Sequence, residues 1–259
     1  VVGETVAPPQ VLSQLNRVAM SDLLLDTDTK VRRALILSKD DKDRDRLGLA
    51  VMSCLEYLKP QGIELESIDA RTKKYKLGKA LFVPLTGDGN YRKAEVGGYQ
   101  ILLNYRGPIE PFHTISMTDV LANRVPSNFF RDRIVFIGAT ANSLNDFFVT
   151  PYSSNLSKRR PQMEGVVIHA NIASQILSAA LDDRPMLRPL SRSMEGVWIF
   201  VWSALGASGT WLLLKVTQHR HKSFSLWGVA IEILVALGVL GSIGYQAFCL
   251  GWLMPIVTP

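Results

Sequence analysis

The chain has 259 residues, 47% of them hydrophobic and 20% charged, with 29 Lys and Arg against 23 Asp and Glu. This balance excludes a disordered or low-complexity chain, and two cysteines exclude a disulfide scaffold. Charge is unevenly spread: after Met194 only Glu195, Lys215, Arg220, Lys222 and Glu232 carry any, so a polar body precedes an apolar tail.

Val1-Val2-Gly3 and Pro8-Pro9 read as a strand end and a loop. Residues 17–25 and 31–37 flank the turn-forming Asp26-Thr27-Asp28-Thr29, which predicts a β-hairpin. From Asp43 to Leu58, the apolar residues Leu47, Ala50, Val51, Cys54, Leu55 and Leu58 recur at helical spacing, and Pro60 and Gly62 end the pattern. Cys54 falls on the apolar face and reads as a buried, inert thiol. Residues 71–98 read as hairpin-like around a strand at 80–85, and residues 98–105 as an apolar strand. Ser116 followed by Asp119 is a capping box opening a short helix to Ala122.

Arg133-Ile134-Val135-Phe136-Ile137-Gly138 has the unbroken apolar character of a central parallel strand. A helix is expected over 164–181, with Val167, Ile168, Ile172, Ile176 and Leu177 on one side. Strands interleaved with helices define the expected class: α/β, a mixed sheet flanked by helices.

The tail holds two candidate spans. Residues 197–214 carry no charge, and a second run from Leu226 contains only Glu232. A bilayer needs about 20 apolar residues per helix, so the expectation is a C-terminal transmembrane helical hairpin joined by the basic connector around His219-Arg220-His221-Lys222. Arg184, Arg188 and Arg192 before the first span match that connector in charge, so the charges alone leave orientation open. Ala204, Gly206 and Gly209 in the first span, and Gly238, Gly241 and Gly244 in the second, suit close helix packing, within the hairpin or between copies. Glu232 lies about 9 Å along the helix from Leu226, where reaching the headgroups or pairing with Lys222 is the plain reading. Trp252 onward reads as the start of a third, truncated span, and the abrupt beginning and end suggest a fragment.

Catalytic chemistry finds no support: there is no Gly-x-Ser-x-Gly elbow, zinc-protease helix or kinase signature, and no Cys/His cluster with metal spacing. No cofactor is implied. The basic run Lys158-Arg159-Arg160 lacks aromatic neighbours and reads as a solvated loop, not a nucleic-acid patch. The densest polar stretch follows the strongest apolar run, where ligands of open α/β sheets bind. Thr140, Asn142, Asp146 and Thr150 lie there, and His169 and Asn171 near the start of the next helix. Each has a structural alternative: helix capping for Thr140 and Asn142, loop bonding for Asp146, an ordinary buried hydrogen bond for His169.

Three ordered strings carry a family resemblance: Asp132-Arg133-Ile134-Val135-Phe136-Ile137-Gly138-Ala139-Thr140, then Asp146-Phe147-Phe148-Val149-Thr150-Pro151-Tyr152, then Met163-Glu164-Gly165-Val166-Val167-Ile168-His169-Ala170-Asn171. With Asn104-Tyr105-Arg106-Gly107-Pro108 and Ile115-Ser116-Met117-Thr118-Asp119, this chain resembles the CHASE-2 domain, an extracellular sensory domain of bacterial receptors. Glu164 departs from the pattern, where similar domains often have Pro. The resemblance implies a sensor outside the bacterial inner membrane, usually three spans, and a histidine kinase, Ser/Thr kinase or nucleotide cyclase beyond. Asp119, Asp146, Thr150, His169 and Asn171 match its polar motifs, but it supplies no ligand or catalytic role for them.

The expected organisation is therefore an extracytoplasmic sensory domain over 1–185, a linker over 186–195, spans over 196–214 and 226–250 around a cytoplasmic connector at 215–225, and a third span starting at 251–259. The expected function is a non-enzymatic input module. It would bind an unknown small molecule, dimerise, and pass a change through the bilayer to a kinase or cyclase. The alternative is a membrane-anchored structural or dimerisation module with no ligand.

Overall fold

The structure, a computed structural model, describes residues 10–15, 17–40, 43–87, 91, 96–108, 111–153, 162–217 and 222–255. The expected strand end at 1–3, the basic run at 158–160 and the connector residues 218–221 lie outside them. The chain divides into two compact units. One comprises Val1–Leu85 with Ala94–Met186, the other Thr86–Lys93 with Leu187–Pro259.

The first unit opens with a short helix, α1 (Gln10–Gln14), and the expected hairpin of β1 (Leu24–Leu25) and β2 (Val31–Lys39). β2 is central. Arg33 pairs with Leu24 of β1 on one edge and with Leu102 of the later strand on the other. An arginine in a central strand needs compensation. Arg33 is buried, and its guanidinium donates to Asp26 Oδ1 at 2.7 Å, Gln100 Oε1 at 2.7 Å and the Leu25 carbonyl at 3.1 Å. The turn aspartates are thus more than turn formers: Asp28 holds Arg32 through two bonds of 2.8 and 2.7 Å.

β3 (Asp45–Leu47) pairs antiparallel with β2, so the helix expected from Asp43 begins only at α2 (Leu49–Leu58). α2 buries Ala50, Val51, Cys54 and Leu58, and ends in a 3-10 turn and Gly62 at φ +72°. An antiparallel meander follows: β4 (Leu65–Asp69), β5 (Lys74–Leu77) and β6 (Ala80–Phe82). β7 (Tyr99–Leu102) returns to the free edge of β2. The capping box forms as expected at α3 (Met117–Leu121). β8 (Phe147–Phe148) pairs antiparallel with β9 (Met163–Glu164), which leads into α4 (Gly165–Asp182). One face of α4 buries Val167, Ile168, Ile172, Ile176 and Ala179 in a core shared with β2, α2, the β5–β6 hairpin and β7.

The α/β class stands, with antiparallel ladders throughout this unit. Parallel contacts are the isolated bridges Met20–Gly48 and Lys30–Val149. The expected parallel strand at 133–138 does not form. The segment joins no ladder; Ile134 and Phe136 pack on the core, whereas Val135 and Ile137 are exposed. Apolarity recorded half a buried face, not strand pairing.

Two backbone stitches hold α4 to the chain after β7. Asn171 Oδ1 accepts from the Arg106 and Gly107 amides at 2.9 and 3.4 Å. One turn on, Gln175 accepts from the Asn104 amide at 2.9 Å and donates to the Leu102 carbonyl at 3.0 Å. The two amide side chains replace a missing strand partner.

In the second unit, β10 (Arg188–Pro189) precedes α5 (Arg192–Thr217), and α6 (Lys222–Cys249) precedes β11 (Trp252–Leu253). Both helices are long and apolar enough to cross a membrane. Their side chains match that reading, with Phe200 72% and Leu234 68% exposed. The Glu232 carboxylate lies against Gly209 of α5 and accepts from Thr210 Oγ1 at 3.5 Å, a placement inside the hairpin. Trp252-Leu253, where a third span was expected to start, is extended. It pairs in parallel with Arg188-Pro189, and the Arg188 guanidinium stacks over the Trp252 ring at 5.0 Å.

Candidate functional site

A pocket of about 150 Å³ opens in the first unit beside the start of α4. The loop after the 133–138 segment brings Gly138 against Val166, where a Cβ would meet the valine side chain at 2.5 Å. Further along, the Asp146 carbonyl accepts the Gly165 amide at 3.0 Å. Its carboxylate lies so close to Gly165 that a Cβ there would come within 2.7 Å of Oδ1. The two glycines are thus needed for close approach, and Asp146 sits at the positive end of an 18-residue helix.

His169, one turn into α4, lines the same pocket and is 7% exposed. Its Nε2 is 3.1 Å from the Ser21 carbonyl, which can only accept, so Nε2 carries the proton. Nδ1 has no hydrogen-bond partner among the described residues. Burial lowers the His169 pKa, against smaller opposing effects of the Ser21 bond and the Asp146 and Asp22 charges. The ring runs nearly parallel to Phe136, at 27° with centroids 6.5 Å apart. Leu23, Leu49 and Ile137 complete an apolar wall.

Of the seven residues singled out in the sequence, the fold brings two together here, Asp146 and His169. Thr150 is fully buried, accepting from the Tyr152 amide and receiving nothing from the pocket side. Asn171 makes the stitch to Arg106 and Gly107. Asp119 closes the capping box with Ser116 and pairs with Arg124 at 2.9 Å. Thr140 is exposed outside the pocket lining, and Asn142 begins a 3-10 turn. Sequence reading missed Ser21, Leu23 and Leu49. Their only signal is long-range: the Ser21 carbonyl reaches His169 across most of the domain.

The CHASE2 domain family model matches residues 2–208. The chain belongs to the CHASE2 family. CHASE2 is a sensory extracellular domain family, usually found in signalling receptors with downstream effector domains. The match runs through the pocket-bearing unit and on into α5. No curated protein and no solved structure matches the chain. The pocket beside α4 brings the Asp146 carboxylate and the His169 ring to one place within this family match.

Proposed function

We propose that this chain is the extracytoplasmic input module of a transmembrane receptor of the bacterial inner membrane. In this reading the Asp146–His169 pocket receives a small molecule, and α5 and α6 cross the bilayer twice around a cytoplasmic connector. A third span beyond β11 leads to a kinase or cyclase. The observation that carries the reading is the continuity of the CHASE2 match from the pocket into the first membrane-length helix. A ligand shifts such a receptor only by its differential affinity for two states, with coupling of about 1–3 kcal/mol.

Reporter fusions test the topology. Alkaline phosphatase joined after Asp183 should be active, and joined within 218–221 inactive; the reverse pattern overturns the orientation. Reading the coding sequence past Pro259 tests the effector. Asp146→Ala and His169→Ala should each shift the response of the complete receptor, and unchanged responses in both remove the pocket from the input path.

Dimerisation through the spans also has an observation in its favour. Gly206, Gly238 and Gly241 each face open space within 4 Å of where a Cβ would sit, leaving small-residue surface that a second copy can approach. Cysteine cross-linking at Gly206 and Gly241 in membranes should trap a dimer, whereas no cross-link at either position counts against this part of the proposal.

A further inference from the structure

Two side chains of the pocket offer hydrogen-bond acceptors, the Asp146 carboxylate and the His169 ring, while the Ser21 hydroxyl can accept or donate. The Asp146 carboxylate is acceptor only, and it is the one formal charge among the lining residues. The His169 ring donates through Nε2 to the Ser21 carbonyl, so Nδ1 is left with a lone pair. That lone pair is buried and unmatched among the described residues, and an unmatched buried polar atom carries a free-energy penalty a ligand can relieve. The depressed His169 pKa keeps the ring neutral and the lone pair available. The second carboxylate acting on this ring, Asp22, adds further negative potential. The start of α4 contributes a partial positive charge of roughly half a unit, which offsets part of one carboxylate and leaves the pocket net negative.

A metal ion is a poor match. Among the described residues, no group of three His, Cys, Asp or Glu side chains could hold one. The remaining surface is apolar, from Leu23, Leu49, Phe136 and Ile137. The volume is close to that of a cavity known to admit a benzene-sized guest of about six non-hydrogen atoms.

We propose that the pocket binds a small organic cation, a primary ammonium whose N–H groups satisfy the Asp146 carboxylate and His169 Nδ1 while a short apolar chain lies against Leu23, Leu49 and Phe136. An ammonium has three donors and no acceptor, the complement of the Asp146 carboxylate and His169 Nδ1. The assignment rests on the pocket being the input site proposed above, and names the ligand class for it.

The test uses the full chain in detergent at pH 7.5, with histidine selectively labelled with nitrogen-15, and three probes of matched size: butylammonium, 1-butanol and butyrate. Hydrogen bonding to Nδ1 moves its resonance, so the readout is local to His169. Butylammonium should shift the His169 Nδ1 signal saturably, with a Kd on the order of 1 mM for so small a ligand. 1-Butanol should bind at least tenfold more weakly, and butyrate should not compete. Asp146→Asn should bring butylammonium and 1-butanol to within about threefold of each other. Tighter binding of butyrate, or equal binding of the ammonium and the alcohol to the unaltered chain, overturns the ligand class but leaves a ligand pocket at this place. If none of the three moves the resonance while circular dichroism shows an intact fold, both the class and the pocket fall. The probe comparison on the unaltered chain needs no variant, so it decides the ligand class even where Asp146→Asn misfolds.

Discussion

Gln175 is 1% exposed in the middle of α4, yet it belongs to the backbone as much as to the helix. Its side chain satisfies the Asn104 amide and the Leu102 carbonyl, at 2.9 and 3.0 Å. Gln175→Leu keeps the volume and strands both groups. Two orphaned backbone groups cost about 1–3 kcal/mol each, and the added apolar burial returns roughly 1–2 kcal/mol, for a net loss of about 0–5 kcal/mol centred near 2–3 kcal/mol. Gln175→Glu discriminates further. Its carboxylate still accepts from Asn104 but faces the Leu102 carbonyl with a second acceptor, so at pH 7 it should be the less stable variant. Facing a carbonyl raises the folded-state pKa of that carboxyl. Its protonated form can donate to Leu102, so stability should return as pH falls towards the ordinary glutamate value of about 4.3. All five tryptophans of the chain lie in the second unit or at its helices, beyond residue 197, so tryptophan fluorescence misses this effect. Amide hydrogen exchange of the α4 peptide in the full chain reports it, as exchange at least about fivefold faster in both variants. Gln175→Leu exchanging like the unaltered chain, or matching Gln175→Glu at pH 7, would refute the reasoning.

Other expectations follow from the same structure. Removing Asp26 leaves Arg33 buried without its carboxylate, so Asp26→Ala should destabilise the first unit by about 3–5 kcal/mol. Asp28→Ala breaks an ion pair whose carboxylate is 45% exposed and should cost under about 1 kcal/mol; thermal melts of the two variants compare them directly. Because burial lowers the His169 pKa, the unfolded chain takes up this proton more readily than the folded one. Stability should therefore be full above the ordinary histidine value of about 6.5 and decline as pH falls through the lowered folded value. His169→Gln, which can still donate to Ser21, should flatten that decline, and an unchanged pH profile would count against it. Burial pushes the Cys54 thiol up to about 12, so in detergent a maleimide should label Cys249 and reach Cys54 only after unfolding; rapid labelling of a Cys249→Ser chain would contradict the burial.

The helices and the apolar tail were legible because periodicity and length speak directly: α4 and the two long apolar helices fall where apolar spacing and length place them, and α2 forms the later part of its expected range. Pairing was not. The central place of Val31–Lys39 was not legible, because it holds Arg32 and Arg33 and nothing local shows that Asp26 and Gln100 compensate Arg33. Residues 133–138 fail in the opposite direction, as an apolar run whose alternate members face outward without a ladder. At the candidate site, the loop carrying Asp146 and the helix start carrying His169 were identifiable, since polar residues beside strong apolar runs are conspicuous. Asn171 was not separable from a ligand contact. An amide side chain that stitches backbone and one that grips a ligand have the same sequence, and only the approach of Arg106 and Gly107 distinguishes them.

The two-residue ladder between Arg188-Pro189 and Trp252-Leu253 makes a short circuit of the helical hairpin. In the proposed topology two crossings return the chain to the face it left, and the ends of the hairpin are bonded: the Arg188 amide donates to the Gly251 carbonyl at 2.8 Å, and Trp198 Nε1 to the Pro255 carbonyl at 3.1 Å. A pull on residue 188 therefore reaches residue 252 through one hydrogen bond, without travelling down α5 and back up α6. In the receptor proposed above, the hairpin would then anchor the module beside the transmission line rather than form the line itself.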